Sequence, residues 1–295
     1  MLRLTQNIEE ANLITHGGSF HSADVMATAI LMKVFEDATI CRTNKLEGKL
    51  REEAVIYDIG RGKFDHHQKV DCCRKNRVPY SCAGLIWKAF WPQIVDNFYV
   101  YKIVDRKLMQ GIDAIDNGTT IRNDYIIQVM SVYHCIDSFN PTWDSSDTYD
   151  EAFLRAVAFA KIVLDNTVKN AIAKVNGKEI VEEAIENSEN GIMVLETKVP
   201  WQEYIFTSRN KKKKDILFVV YPASRGGYAF KAVPAELGEF SRKKTAPKEW
   251  RGLEDEELQK VTGIKTALFC HPLGFTGRAE TLEDAIAMAI LAIEA

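Results

Sequence analysis

The chain has 295 residues, 46 % of them hydrophobic and 27 % charged, which is length for about two domains and a composition that excludes disordered, collagen-like and disulfide-scaffold proteins. The 38 Lys and Arg residues against 41 Asp and Glu leave a net charge of −3, so a nucleic-acid partner has to meet a local basic surface. No apolar run reaches the roughly 20 residues of a membrane span, Met1–Glu10 lacks a secretory apolar stretch, and six cysteines without a Cys-x-x-Cys pair suit reduced thiols, so the reading is cytoplasmic with no membrane partner.

In chain order, the strand candidate Ala11–Thr15 ends in His16-Gly17-Gly18-Ser19-Phe20-His21-Ser22-Ala23-Asp24, and apolar periodicity from Val25 to about Phe35 predicts a helix. Strand candidates follow at Ala38–Arg42 and Ala54–Ile59, the second broken by Gly60-Arg61-Gly62 ahead of Phe64-Asp65-His66-His67-Gln68. Helices are predicted over Cys82–Phe90, stopping near Pro92, and from Ile94 to Asp116, where Asp113 and Asp116 share a face. Phe139-Asn140-Pro141-Thr142-Trp143-Asp144 is rich in turn residues, and a long amphipathic helix starts at Tyr149 and continues, after Asn176-Gly177, to Glu186. Strand-like runs then occupy Ile192–Leu195, Tyr204–Thr207, Ile216–Tyr221, Tyr228–Val233 and Ala267–Cys270, with a last helix at Leu282–Glu294. Lys211–Lys214 reads as a solvated loop between strands.

Four of the six histidines form two clusters, His16 with His21 and His66 with His67, at the predicted strand ends that also carry Asp24, Asp58 and Asp65. Ligands of open α/β sheets bind beyond the carboxyl ends of parallel strands, so these groups would be neighbours if the strands lie together. Imidazole and carboxylate together suit borderline divalent metals, and a carboxylate between two histidine-bearing loops can bridge a pair of ions. His134 stands alone and reads as structural.

Several segments in this order carry a resemblance: Thr15–His21, Phe64–Gln68, Ala83-Gly84-Leu85-Ile86, Ile112–Gly118, Asn140–Trp143, Trp250-Arg251-Gly252-Leu253 and Gly274-Phe275. Together they resemble the melanocyte-proliferating-gene family of the DHH phosphoesterase superfamily, nearly end to end. The resemblance implies an α/β fold with a DHH-type parallel-sheet catalytic domain over residues 1–145, a helical linker over 146–190, and a smaller α+β substrate-binding domain over 191–295. It implies two Mn2+ or Mg2+ ions and 3′ to 5′ exonucleolytic hydrolysis of RNA or short oligonucleotides. On matching positions His16 and His21 would bind the first metal, Asp58 would bridge, His66 and Asp116 would bind the second, and His67 would face the scissile phosphate. Asp65 would orient a histidine, and Asp113 would be either a ligand or, as favoured, a support for the site.

The chain departs from the family pattern at Ala23, where a metal-binding carboxylate is expected, so Asp24 or a water has to fill the place or one ion is weakly held. In the second half, Gly274 to Arg278 is expected to lead from a strand towards a helix whose amino end holds a phosphate, with Gly274, Gly277, Arg278 and Arg251 as candidate substrate contacts. Trp250 among Arg242, Lys243, Lys244 and Lys248 is either a stacking platform for a base or a buried residue. The residues leave open a phosphoesterase for a small phosphorylated metabolite or cyclic dinucleotide, and a binding protein with a lapsed site. Oligomeric state stays open, a homodimer included.

Overall fold

The computed structural model describes residues 2–68, 73–119, 127 and 129–295; Cys72 lies outside them, and Cys41, Cys82, Cys135 and Cys270 are free thiols. The chain divides into two compact units, Met1–Ile172 and Ala173–Ala295.

In the first unit β1 (Arg3–Thr5), β2 (Leu13–Thr15), β3 (Thr39–Arg42) and β4 (Val55–Ile56) form a parallel sheet in the order β1-β3-β2-β4. β2 and β3 are buried at every residue, as expected of parallel strands covered on both faces. β1 was not expected from the sequence; it is an edge strand of three partly exposed residues, too short to show a pattern. Helix α1 (Ser22–Leu31) is buried all round and begins at His21, whose N–H donates to Asp24 Oδ1 at 2.9 Å. That bond closes the first turn and starts the helix ahead of the apolar run read from the sequence.

Helix α2 (Cys82–Phe90) has the predicted bounds. The predicted helix from Ile94 to Asp116 begins at Phe98, where Asn97 accepts from the Tyr99 N–H. It is built from α3 (Phe98–Val104), a π-helical turn (Asp105–Met109) and α4 (Gln110–Asp116). Buried Arg74 joins that turn to α4, donating from Nε to Asp105 at 3.0 Å and from Nη2 to Asp113 Oδ2 at 2.7 Å. Helix α5 (Val132–Asp137) packs against α1 and α4, and α6 (Tyr149–Glu186) runs unbroken through Gly177, which is buried against Val199.

The second unit is built on a mixed sheet of β5 (Ile192–Val194), β6 (Phe218–Pro222), β7 (Tyr228–Ala232), β8 (Ala267–Cys270) and β9 (Thr276–Ala279), in the order β5-β6-β7-β9-β8. Tyr204–Thr207 is not a strand but part of helix α7 (Gln202–Thr207). Its aromatic and β-branched residues suggest extended chain, yet Trp201, Tyr204 and Ile205 follow helical spacing and pack into one core with Val181, Ile185 and Val219. The other face of the sheet buries Phe218, Val220 and Phe230 with Leu258 of α8 (Asp255–Thr262) and Met288 and Ala289 of α9 (Leu282–Glu294).

Gly274 to Arg278 does not run into a helix. It is the turn between β8 and β9 followed by β9 itself, which pairs antiparallel with β7 and β8. Gly274 has φ +66°, the left-handed value that ends the turn and that glycine adopts without cost.

Candidate metal centre

The chain leaves β2 for β3 on one side, while β4 pairs with β2 on the other, Leu13 beside Val55 and Ile14 beside Ile56. The carboxyl ends of β2 and β4 therefore flank a reversal of strand order, the position where open α/β sheets hold ligands. His16 follows β2 directly and Asp58 lies two residues past β4.

Asp58 is buried and has φ +58°, a left-handed conformation costing a residue with a Cβ roughly 1–2 kcal/mol. Its two carboxylate oxygens face different loops. Oδ2 lies 3.4 Å from His16 Nε2, and Oδ1 lies 3.3 Å from His66 Nδ1 and 3.9 Å from His67 Nδ1. His16 Nε2 is also 3.4 Å from Asp24 Oδ2, and His66 Nε2 is 3.3 Å from Asp116 Oδ2. Two groups of ligand atoms, each within 4.8 Å, share Asp58: His16 and His21 on one side, Asp65, His66 and His67 on the other.

The residues present fit divalent cations. Among the described residues His16 Nε2, Asp24 Oδ2, Asp58 Oδ1 and His66 Nδ1 are buried and have no hydrogen-bond partner, with His16 Nε2 against Asp24 Oδ2 and His66 Nδ1 against Asp58 Oδ1. Buried polar atoms are almost always satisfied, so a set of orphaned nitrogens and carboxylate oxygens aimed inward is what a cation site requires. The same groups also shift one another's protonation. Burial and the nearby Asp58 push the Asp24 carboxyl up to about 7 against the pull of His16, and burial with Asp58 and Asp113 does the same to Asp116. Burial opposes a charge on His16, but Asp58 and Asp24 outweigh it and lift the imidazole to about 9. Burial likewise works against Asp58 as an anion, and His16 and His66 overcome it and hold the carboxyl below its usual range.

Each remaining acidic residue has a distinct place. Ala23 is buried within α1 and offers nothing to the site; the carboxylate at this turn comes from Asp24, whose Oδ1 is tied to the His21 and Val25 N–H groups while Oδ2 faces His16. Asp65 accepts from the Arg61 N–H at 2.7 Å and the His67 N–H at 3.0 Å, and its Oδ1 lies 2.8 Å from His67 Nδ1. That fixes the His67 ring with its side chain 58 % exposed. Asp113, on the same helix as Asp116, turns away and is used by Arg74, Ser81 Oγ and the Gly84 N–H.

Sequence reasoning missed the residues that hold the His16–His21 loop in place. Asn140 Oδ1 accepts from the Phe20 N–H at 3.1 Å and Ser19 Oγ at 3.2 Å, and its Nδ2 donates to Phe20 O at 2.8 Å. Arg42 has a fully buried side chain that donates to Gly18 O and to Asp150, and its guanidinium stacks on Phe153 at 4.3 Å. Tyr133 was also unforeseen; burial and the charges of Asp116, Asp137, Asp24 and Asp58 push its hydroxyl up to about 12. Asn140→Ala is expected to lower the unfolding free energy by about 2 kcal/mol, since it strips partners from backbone groups of the loop; urea denaturation reads this directly. His134 pairs with Ser131 at the start of α5.

The other candidates lie in the second unit. Arg251 donates to Ala246 O and Thr245 Oγ1, holding a loop, and a Cβ on Gly274 would meet its Nε at 2.7 Å. A Cβ on Gly277 would meet the Phe230 ring at 2.5 Å, so close packing accounts for that glycine. Arg278, on β9, donates to Arg225 O at 3.2 Å, and both line a groove of about 520 Å³ with Lys198. Trp250 is buried in the core and cannot stack on a base. Lys211–Lys214 forms a 3-10 turn, with Lys213 donating to the Phe206 and Ser208 carbonyls.

The family model described as "Uncharacterised protein family (UPF0160)", MYG1_exonuc, matches residues 12–293. The chain is similar to the "MYG1 protein" of Dictyostelium discoideum, 28 % identical with 96 % of each chain covered. It is also similar to the "MYG1 exonuclease" of Homo sapiens, 27 % identical over 93 % of this chain and 84 % of that one. Among solved structures it aligns with "pGpG-specific phosphodiesterase - PggH from Vibrio cholrae" at a TM-score of 0.36 and 12 % identity, covering 96 % of this chain and 97 % of the other. With the match spanning nearly all of its length, the chain belongs to the MYG1 family.

Proposed function

We propose that this protein is a phosphodiesterase dependent on Mn2+ or Mg2+ that shortens RNA or short oligonucleotides from the 3′ end. The observation that carries the reading is Asp58, one carboxylate presenting an oxygen to each of two histidine-bearing loops. The exonuclease name of the mammalian relatives supports it.

In this reading His16, His21, Asp24 and Asp58 would hold one cation, and Asp58, His66 and Asp116 would hold the other. Bound there, divalent cations supply positive charge against an anionic phosphodiester and lower the pKa of water. The chain's own groups do the positioning. Asp65 takes the Nδ1 side of His67 and leaves Nε2 outward, to hydrogen-bond a phosphoryl oxygen. Asn140 and Arg42 keep His16 and His21 in register before substrate arrives, so no ordering of that loop is charged to the reaction. In the second unit Arg278, Arg225 and Lys198 are the cations offered to substrate phosphates, while Gly274, Gly277 and Arg251 shape the turn behind them.

The test is hydrolysis of a 5′-labelled oligoribonucleotide with Mn2+, with Mg2+ and with chelator. A ladder shortening from the 3′ end only with metal is expected, and no cleavage by folded, metal-loaded protein would overturn the reading. Mn2+ at a hundredfold over its Kd is expected to add about 2.7 kcal/mol of stability, raising Tm by several degrees in a thermal scan. Chelator should reverse the shift.

A further inference from the structure

We infer that Trp143 is a stacking platform for a nucleobase of the substrate next to the metal centre. The inference rests on the oligonucleotide reading above. Trp143 is 97 % exposed, whereas Trp87, Trp201 and Trp250 are buried. A large apolar ring held wholly in water gives up the stabilisation that burial supplies, and an aromatic face presented this way is the feature that single-stranded nucleic acids are bound by.

The exposure is built, not frayed. Pro141 restricts the chain before the turn, the Ser145 N–H donates to Thr142 O at 3.0 Å, and Thr142 Oγ1 donates to Asp144 Oδ1 at 2.7 Å. Three residues before Trp143, Asn140 makes the three hydrogen bonds that clamp Ser19 and Phe20, between the candidate ligands His16 and His21. The turn that carries the indole is therefore tied through Asn140 to the loop that carries the imidazoles, so the backbone bearing the exposed ring starts from a point fixed on that loop.

Two of the acidic residues that follow carry a counter-charge, which lessens their repulsion of a polyanion. Asp147 pairs with Arg155 at 2.5 Å and Asp150 pairs with Arg42 at 2.6 Å. Stacking on Trp143 does not read base identity, because every base has a π face. The expected substrate is thus a single strand of mixed sequence, with duplex bound poorly because its bases are already stacked.

The experiment is a titration of tryptophan emission with an oligoadenylate in the presence of chelator, beside steady-state hydrolysis with Mn2+, on wild type, Trp143→Phe and Trp143→Ala. Saturable quenching is expected in wild type and its loss in Trp143→Phe. KM for the oligonucleotide is expected to rise about tenfold or more in Trp143→Ala and to be largely rescued in Trp143→Phe, with kcat little changed. Hydrolysis that saturates without any change in emission, or a Trp143→Ala variant with wild-type KM, overturns the platform while leaving the exonuclease reading in place. Neither quenching nor hydrolysis in the wild type overturns both.

Discussion

Asp58→Asn is expected to reduce hydrolysis by about a thousandfold or more while leaving the protein folded. Among the described residues the Asp58 carboxylate is the group that faces both histidine loops, so its loss removes negative charge from both candidate cation sites at once. Asparagine is the replacement to use because the backbone at 58 sits at φ +58°, a conformation asparagine accepts more readily than alanine does. Alanine would combine the chemical change with added strain and blur the result. The measurements are kcat with Mn2+ and Tm on the same preparation, together with the Mn2+-induced rise in Tm, which should vanish. Turnover near wild type would remove Asp58 from the site.

Gly84→Ala is expected to destabilise the first unit by about 3–5 kcal/mol, the cost of disrupting a buried ion pair. A Cβ at that position would lie 1.9 Å from Asp113 Oδ2 and 2.8 Å from Arg74 Nη2. Neither group can yield freely: Asp113 is fully buried and Arg74 is committed to Asp105 and Pro79 O. Asp113 also accepts the Gly84 N–H in the first turn of α2, so the substitution pushes away the group that caps the helix. Chemical denaturation should show the loss as an early midpoint, and a midpoint equal to wild type would mean that the carboxylate has room to move. The alanine-glycine pair noted in the sequence as part of a family pattern thus has a packing cause.

The parts of the fold that were legible in the sequence are those specified locally. Helix α2 lies between Ser81 and Pro92, α9 is capped by Thr281, and β8 is a short apolar run bounded by turns. The strand ends bearing His16, Asp58 and His66 were legible because polar residues gathered where apolar runs stopped. What was not legible depends on partners far along the chain. Asn140 acts 120 residues from Phe20, Arg42 acts 108 residues from Asp150, and Asp113 acts 29 residues from Gly84. No local pattern announces such bonds. Asp113 and Asp116 make the same point: helical spacing put both on one face, and only the position of Arg74 decides that one is internal support and the other turns to His66. The β8–β9 turn misled for a related reason, since glycine at a turn serves a hairpin as well as a helix start.

The first turn of α6 has a consequence for how this protein can be divided. Arg42 is buried between Gly18 O, Asp150 and the Phe153 ring, so the opening of the long helix supplies the counter-charge that keeps a cation beneath the His16 loop. The module that can be inherited, swapped or expressed with its histidine loop intact therefore runs at least through Phe153. A recombination point ahead of Tyr149 would move the loop to a new host without the charge that keeps its arginine in place.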